Sequence, residues 1–174
     1  MKITLDQIKE LRDMTQASIS ACQKALQDTK GDIAKAVELL RKKGLEIAAK
    51  KRATDVREGR IEAYIHTGNK IGVLVEVACE TDFAARNSDF CQFSKDIAMQ
   101  IAASNPAYLK KEDVPEQIIK KEKDKEAFYK EHCLLEQVYI KDTAITVQDY
   151  LGSVIAKIGE NIFIRRFTRY KLGE

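Results

Sequence analysis

The stretch EVACETDFAARNSDF, residues 76–90, carries the chain from one backbone period to another. Upstream and into it, Ile71, Val73, Val75, Val77 and Cys79 alternate with Gly72, Leu74, Glu76 and Ala78, the period-2 pattern of a half-buried to buried strand. Downstream, Thr81 and Asp82 are good helix N-caps, and Ala84, Ala85 and Arg86 are good helix formers. The spacing therefore predicts a strand that runs directly into a helix, with Phe83 in the first helical turn. Pattern alone reads Phe83 as a core residue packed inward. The competing reading is that an Asp-Phe pair on an exposed corner is a probe for another protein.

Working outward, Ile61, Ala63 and Ile65 alternate with Glu62, Tyr64 and His66, and Thr67-Gly68-Asn69 supplies turn chemistry before Ile71, which predicts a β-hairpin. His66 sits at its tip and reads as a polar edge residue. On the other side, Phe90, Phe93, Ile97 and Ile101 mark a long amphipathic helix over 88–104, stopped before Asn105-Pro106. Residues 108–130 read as charged and helical, and 134–141 as extended. Thr146 to Asp149 opens a helix that runs to Gly159, and the alternation from Asn161 to Lys171 predicts a closing strand.

The first 44 residues have a different grain. Thr4-Leu5-Asp6-Gln7 has the form of a capping box, and apolar stripes at Leu5, Ile8 and Leu11, then Ile19, Cys22, Ala25 and Leu26, then Ile33, Ala36, Val37 and Leu40 predict three short helices. Gly31-Asp32 ends the second and caps the third; Gly44, after Arg41, Lys42 and Lys43, is placed to end the third with a left-handed cap. Such a bundle resembles the ubiquitin-associated type of interaction module. Residues 45–57 read as a basic, Ala-rich helical linker in which Lys50, Lys51 and Arg52 are solvated and available to a partner. The fold class is therefore α+β: a bundle over 1–44, a linker over 45–57, and a core over 58–174 with a small antiparallel sheet and packed helices.

Composition narrows the function classes. The 174 residues carry a net charge of +3 with acidic and basic residues mixed, which argues against a dedicated nucleic-acid binder. No apolar run approaches the roughly 20 residues of a membrane span, and Met1 to Asp6 lacks the apolar region of a secretory signal, so a cytoplasmic protein is expected, with no membrane partner. Cys22, Cys79, Cys91 and Cys133, with only His66 and His132 as helpers, fall at no metal-type spacing and read as buried thiols in a reducing compartment. No phosphate loop, dinucleotide fingerprint, HExxH or GxSxG is present, so no cofactor and no enzyme activity is expected. Binding is the better class.

Several blocks together resemble the translation elongation factor Ts family: Lys24-Ala25-Leu26 with Gly31-Asp32, Tyr64-Ile65-His66, the run from Ile71 to Glu76, Glu80-Thr81-Asp82-Phe83, Ala85-Arg86-Asn87, the run from Ala102 to Pro106, the run from Ile158 to Ile162, and Arg165-Arg166-Phe167. They span nearly the whole chain in family order. Two departures stand out. Thr15 to Ser20 replaces the family's Thr-Gly-Ala-Gly-Met-Met, and most of a protruding helix pair is missing between Lys125 and Glu126, leaving a shortened protrusion near 116–131.

The resemblance implies a guanine-nucleotide exchange factor that promotes GDP release from elongation factor Tu. It implies that Asp82 and Phe83, with Thr81, wedge against helices supporting that GTPase's magnesium site, and that Ile19, Ser20, Lys51, His66 and Ile158 are further partner contacts. Short members resemble one half of a duplicated core, which implies a homodimer. The alternative from another class is a ubiquitin-associated-type adaptor without exchange activity. A nucleic-acid binder using Lys110, Lys120, Arg165 and Arg166 ranks third.

Overall fold

Thr4 and Gln7 form the reciprocal pair that opens helix α1 (Leu5–Thr15): the Gln7 N–H donates to Thr4 Oγ1 at 3.3 Å, and the Thr4 N–H donates to Gln7 Oε1 at 3.1 Å. The computed structural model describes residues 3–15, 17–51 and 58–174, with the side chains of 44–51 excepted. Ser18 caps α2 (Ile19–Asp28), and Asp32 accepts the Lys35 N–H at 3.0 Å to start α3 (Ile33–Lys51). Leu11, Cys22, Ala25, Leu26, Ala36 and Leu40 close the bundle, whereas Leu5 and Ile19 turn outward.

One expected boundary is moved. Gly44 does not end α3, which continues through it to Lys51. A glycine costs a helix only about 1 kcal/mol relative to alanine, and the good helix formers Leu45, Glu46, Ala48 and Ala49 that follow make up for it. Gln16 and residues 52–57 of the linker lie outside the described residues.

The hairpin forms as its turn chemistry predicts. Strands β1 (Glu58–Ile65) and β2 (Ile71–Cys79) pair antiparallel, and β5 (Ile162–Lys171) pairs antiparallel with the other side of β2, giving the order β1-β2-β5. Helix α5 (Ser88–Ser104) covers one face. There Val73, Val75, Val77 and Ile164 meet Phe90, Phe93, Ile97 and Ile101, all buried, in one cluster completed by α8 (Val147–Ile158). The bundle's cluster shares no residue with it, although α3 also packs on α8.

The opposite face of the sheet is open. Ile61, Ile65, Leu74 and Tyr170 are 69%, 61%, 51% and 73% exposed, while Arg60, Glu62 and Tyr64 are half-buried. A bulge in β5 between the partners of Glu76 and Val77 inserts an extra residue. As a result Arg165 and Arg166 both reach Glu76, at 3.2 and 2.7 Å.

The segment after α5 is more broken than its charge pattern suggests. Instead of one helix over 108–130 it holds a turn of 3₁₀-helix at Lys111–Asp113, α6 (Glu116–Ile119) and α7 (Lys125–His132). Pro115 interrupts it, and Asp124 starts α7 anew by accepting the Ala127 N–H at 3.0 Å. Residues 134–141 are only partly extended: a 3₁₀ turn at Leu134–Glu136 precedes β3 (Val138–Tyr139), which pairs with β4 (Asp142–Thr146). A capping box between Thr146 and Asp149 then starts α8, and Gly159 ends it with φ at 81°.

Behind α5 lies a polar seam. Asp96 accepts from Tyr139 OH at 2.9 Å, Tyr150 OH at 3.0 Å, Gln92 Nε2 at 2.8 Å and Lys141 Nζ at 2.6 Å. One turn on, buried Gln100 donates to the Val138 carbonyl at 3.1 Å and accepts the Ile140 N–H at 2.9 Å. These bonds hold the β3–β4 pair and α8 to α5.

Gly59 is the position where the hairpin depends on having no side chain. Its φ is +149°, and a Cβ there would run into the Val77 carbonyl oxygen. Gly59→Ala is expected to lower unfolding free energy by roughly 2–3 kcal/mol, since neither backbone is free to move away. Urea denaturation checks this; a loss below about 0.5 kcal/mol would show that β1 relaxes there.

Candidate functional site

The corner after β2 is assembled from four hydrogen bonds. Thr81 is the N-cap of α4 (Asp82–Arg86), its hydroxyl oxygen accepting the Ala84 N–H at 3.2 Å. The same hydroxyl donates to Glu160 Oε1 at 2.6 Å, and the Thr81 N–H donates to Glu160 Oε2 at 3.1 Å. The Cys79 thiol donates to the Thr81 carbonyl at 3.2 Å. Burial first, then the nearby Glu160 carboxylate, push that thiol up to about 11, so it stays protonated and able to donate at neutral pH.

Five residues are too few to hold a helix in water by themselves. Tertiary ties must do so: Ala84 is buried beneath α4, and Arg86 and Asp82 pair at 3.1 Å on its outer side. Phe83 is left pointing away from all of this, 81% exposed. The inward packing expected from pattern alone is therefore wrong. A helix this short presents only one face to the core, and Ala84 and half-buried Ala85 take it.

The other singled-out residues are spread over the molecule. Ile158, half-buried at the end of α8, packs against the main cluster and lies two residues before Glu160, so it belongs to the same end of the molecule as the corner. His66 lies at the opposite end of β2, its Nδ1 3.1 Å from Tyr64 OH. The nine residues of β2 set the two ends roughly 25–30 Å apart. Ile19 and Ser20 are exposed on the first turn of α2 in the bundle, Ile19 at 57%. Lys51 is the last residue of α3, and its side chain lies outside the described residues.

Glu160 is the residue that sequence reasoning passed over. It lies 79 positions from Thr81, and no local signal marks a glutamate after a helix-ending glycine as a partner for a distant cap.

Lys110, Lys120, Arg165 and Arg166 each have a carboxylate partner: Asp113, Glu116 and, for both arginines, Glu76. Among the described residues no group of three or more His, Cys, Asp or Glu side chains is placed to hold a metal ion, and no helix is long and apolar enough to cross a membrane. Cys22, Cys79, Cys91 and Cys133 are all free thiols.

The fold and corner together define an α+β protein that holds Phe83 outward on an anchored turn. Residues 2–127 and 124–174 match the family described as Elongation factor TS. This chain belongs to the elongation factor Ts family, whose place is in the elongation stage of protein biosynthesis. It is 49% identical to the elongation factor Ts of Caldanaerobacter subterraneus subsp. tengcongensis over 195 aligned positions, covering 99% of this chain and 98% of that protein. It is 49% identical to the protein of that name from Carboxydothermus hydrogenoformans, covering 99% and 90%, and 48% identical to the one from Geobacter metallireducens, covering 100% and 91%. The two matched segments meet at 124–127, next to the start of α7.

Proposed function

We propose that this chain promotes GDP release from elongation factor Tu, and that Phe83, with Asp82 and the Thr81 cap, wedges against the helices that support the magnesium site of that GTPase. The observation that carries this reading is the 81% exposure of Phe83 on a corner bonded at several points to the body of the protein. An exposed phenylalanine on a mobile loop would lose much of its binding energy to ordering; on an anchored turn that cost is already met. Burying one Phe side chain releases about 1.5–3 kcal/mol, enough to tip a packing arrangement with two stable states. A factor that stabilises the state lacking nucleotide contacts must weaken GDP binding, and by linkage GDP weakens the factor's binding by the same ratio.

The bundle supplies a second contact through Ile19 and Ser20, with Lys51 near the linker; His66 joins only if the partner surface extends the length of β2. The separate apolar clusters support treating 1–44 and 58–174 as units joined by the linker, and the short α6 and α7 support a reduced protrusion. The test is the dissociation rate of fluorescent GDP from elongation factor Tu with and without the chain. Acceleration is expected; an unchanged rate at saturating chain, with binding intact, leaves the adaptor reading.

The open face of the sheet favours a homodimer as the working form. Ile61, Ile65, Leu74 and Tyr170 project from all three strands on the side away from α5. Two-fold pairing of identical apolar surfaces is the commonest way such a face is covered. Leu74→Glu, on the central strand, is expected to yield a folded monomer with reduced exchange, checked by sedimentation equilibrium at micromolar concentration. A wild-type chain that is already monomeric and fully active would overturn this part of the reading.

A further inference from the structure

We propose that Glu160 is a positioning residue of the exchange surface: its carboxylate locks the Thr81 corner to the turn between α8 and β5, so that Phe83 and Ile158 face a partner as one rigid patch. This rests on the reading of Phe83 given above.

Both carboxylate oxygens are engaged, and both go to one residue: Oε1 takes the Thr81 hydroxyl at 2.6 Å and Oε2 takes its N–H at 3.1 Å. The hydroxyl proton is thereby committed to Glu160, which turns the lone pair of Oγ1 toward the Ala84 N–H and fixes the cap that starts α4. Hydrogen bonds to an ionised acceptor are about twice as strong as neutral ones. Beside the backbone pairing of Cys79 with Ile162, a second side-chain tie, Lys157 Nζ to Asp89 Oδ1 at 2.6 Å, is between side chains 35% and 36% exposed and contributes little by comparison. Those two ties flank α4 in the sequence, one before it at Thr81 and one after it at Asp89. The stronger one sets where the Phe83 side chain leaves the surface.

The test is GDP release from elongation factor Tu with Glu160→Ala, Glu160→Gln, Phe83→Ala and the Glu160→Ala/Phe83→Ala double variant. Glu160→Ala is expected to slow stimulated release roughly tenfold. Glu160→Gln, which keeps one acceptor oxygen, is expected to fall between it and wild type. The double variant should be no slower than Phe83→Ala alone, because Glu160 acts through the corner. Thr81→Ser, which keeps the hydroxyl for both Glu160 and the Ala84 N–H, should stay near the wild-type rate, whereas Thr81→Val, which loses the cap as well, should lose at least as much as Glu160→Ala, so the test stands even if one variant folds poorly. Multiplying effects in the double variant, or Glu160→Ala at wild-type rate while Phe83→Ala is slow, would overturn the role of Glu160 and leave the wedge standing. A wild-type rate for Phe83→Ala would overturn the wedge itself.

Discussion

Phe83→Ala should slow stimulated GDP release by about 30-fold or more while leaving the melting temperature within a degree or two of wild type. The side chain is 81% exposed, so its truncation removes almost no intramolecular contact, and exposed substitutions away from special backbone features shift stability by no more than about 0.5 kcal/mol. At a partner surface the same truncation removes an aromatic anchor, typically about 2 kcal/mol or more, which is the stated ratio at 1.4 kcal/mol per tenfold. The two readouts separate the alternatives cleanly. A marked drop in melting temperature with exchange intact would make Phe83 a structural residue.

The second large effect is on stability and lies on the far side of α5. Asp96→Ala should lower unfolding free energy by roughly 3–5 kcal/mol, because two tyrosine hydroxyls and an amide lose a buried acceptor. Lys141, 42% exposed, adds little to that figure. Burial alone would oppose ionisation of Asp96, yet the bonds from Lys141, Tyr139, Gln92 and Tyr150 outweigh it and hold the carboxyl below its ordinary value of 3.8. Burial and the Asp96 charge push both tyrosines well above their ordinary range, so they remain donors.

The sign follows from the lowered folded value. The contribution of Asp96 is complete above the ordinary carboxylate value and is lost as pH falls through the folded one. Urea denaturation of wild type and Asp96→Asn should therefore differ widely at pH 7 and by less at pH 3, below the ordinary carboxylate value of 3.8. An equal gap at both values would show that the ionised form is not what the network holds. Since Tyr150 lies on α8, the loss should also loosen the helix that carries Ile158 toward the corner.

The elements that were legible in the sequence are those whose signals are local. The capping box at Thr4, the helix start at Thr146, the turn before Ile71 and the stop at Asn105, whose φ is 47°, each appear where their residues imply. What escaped the sequence depends on residues far apart. Asp96, Gln100 and Ser104, spaced four apart, look like the solvent face of α5 until the β3–β4 pair covers them. Phe83 reads as core until Ala84 and Ala85 are seen to occupy the one inward face that a five-residue helix offers. The corner's chemistry was visible as Thr81-Asp82-Phe83; its anchor was not, because a carboxylate 79 residues away carries no periodic mark.

The strand order has a consequence in time. β2 is the central strand, but the partner on its second edge is β5, whose last residue, Lys171, follows Cys79 by 92 positions. At about 5–20 residues per second of synthesis, that edge waits roughly 5–20 s for its cover. Throughout the wait a valine-rich edge of unpaired backbone groups is open to any passing strand. The half-built sheet is thus exposed to aggregation during synthesis, before its own last strand can protect it.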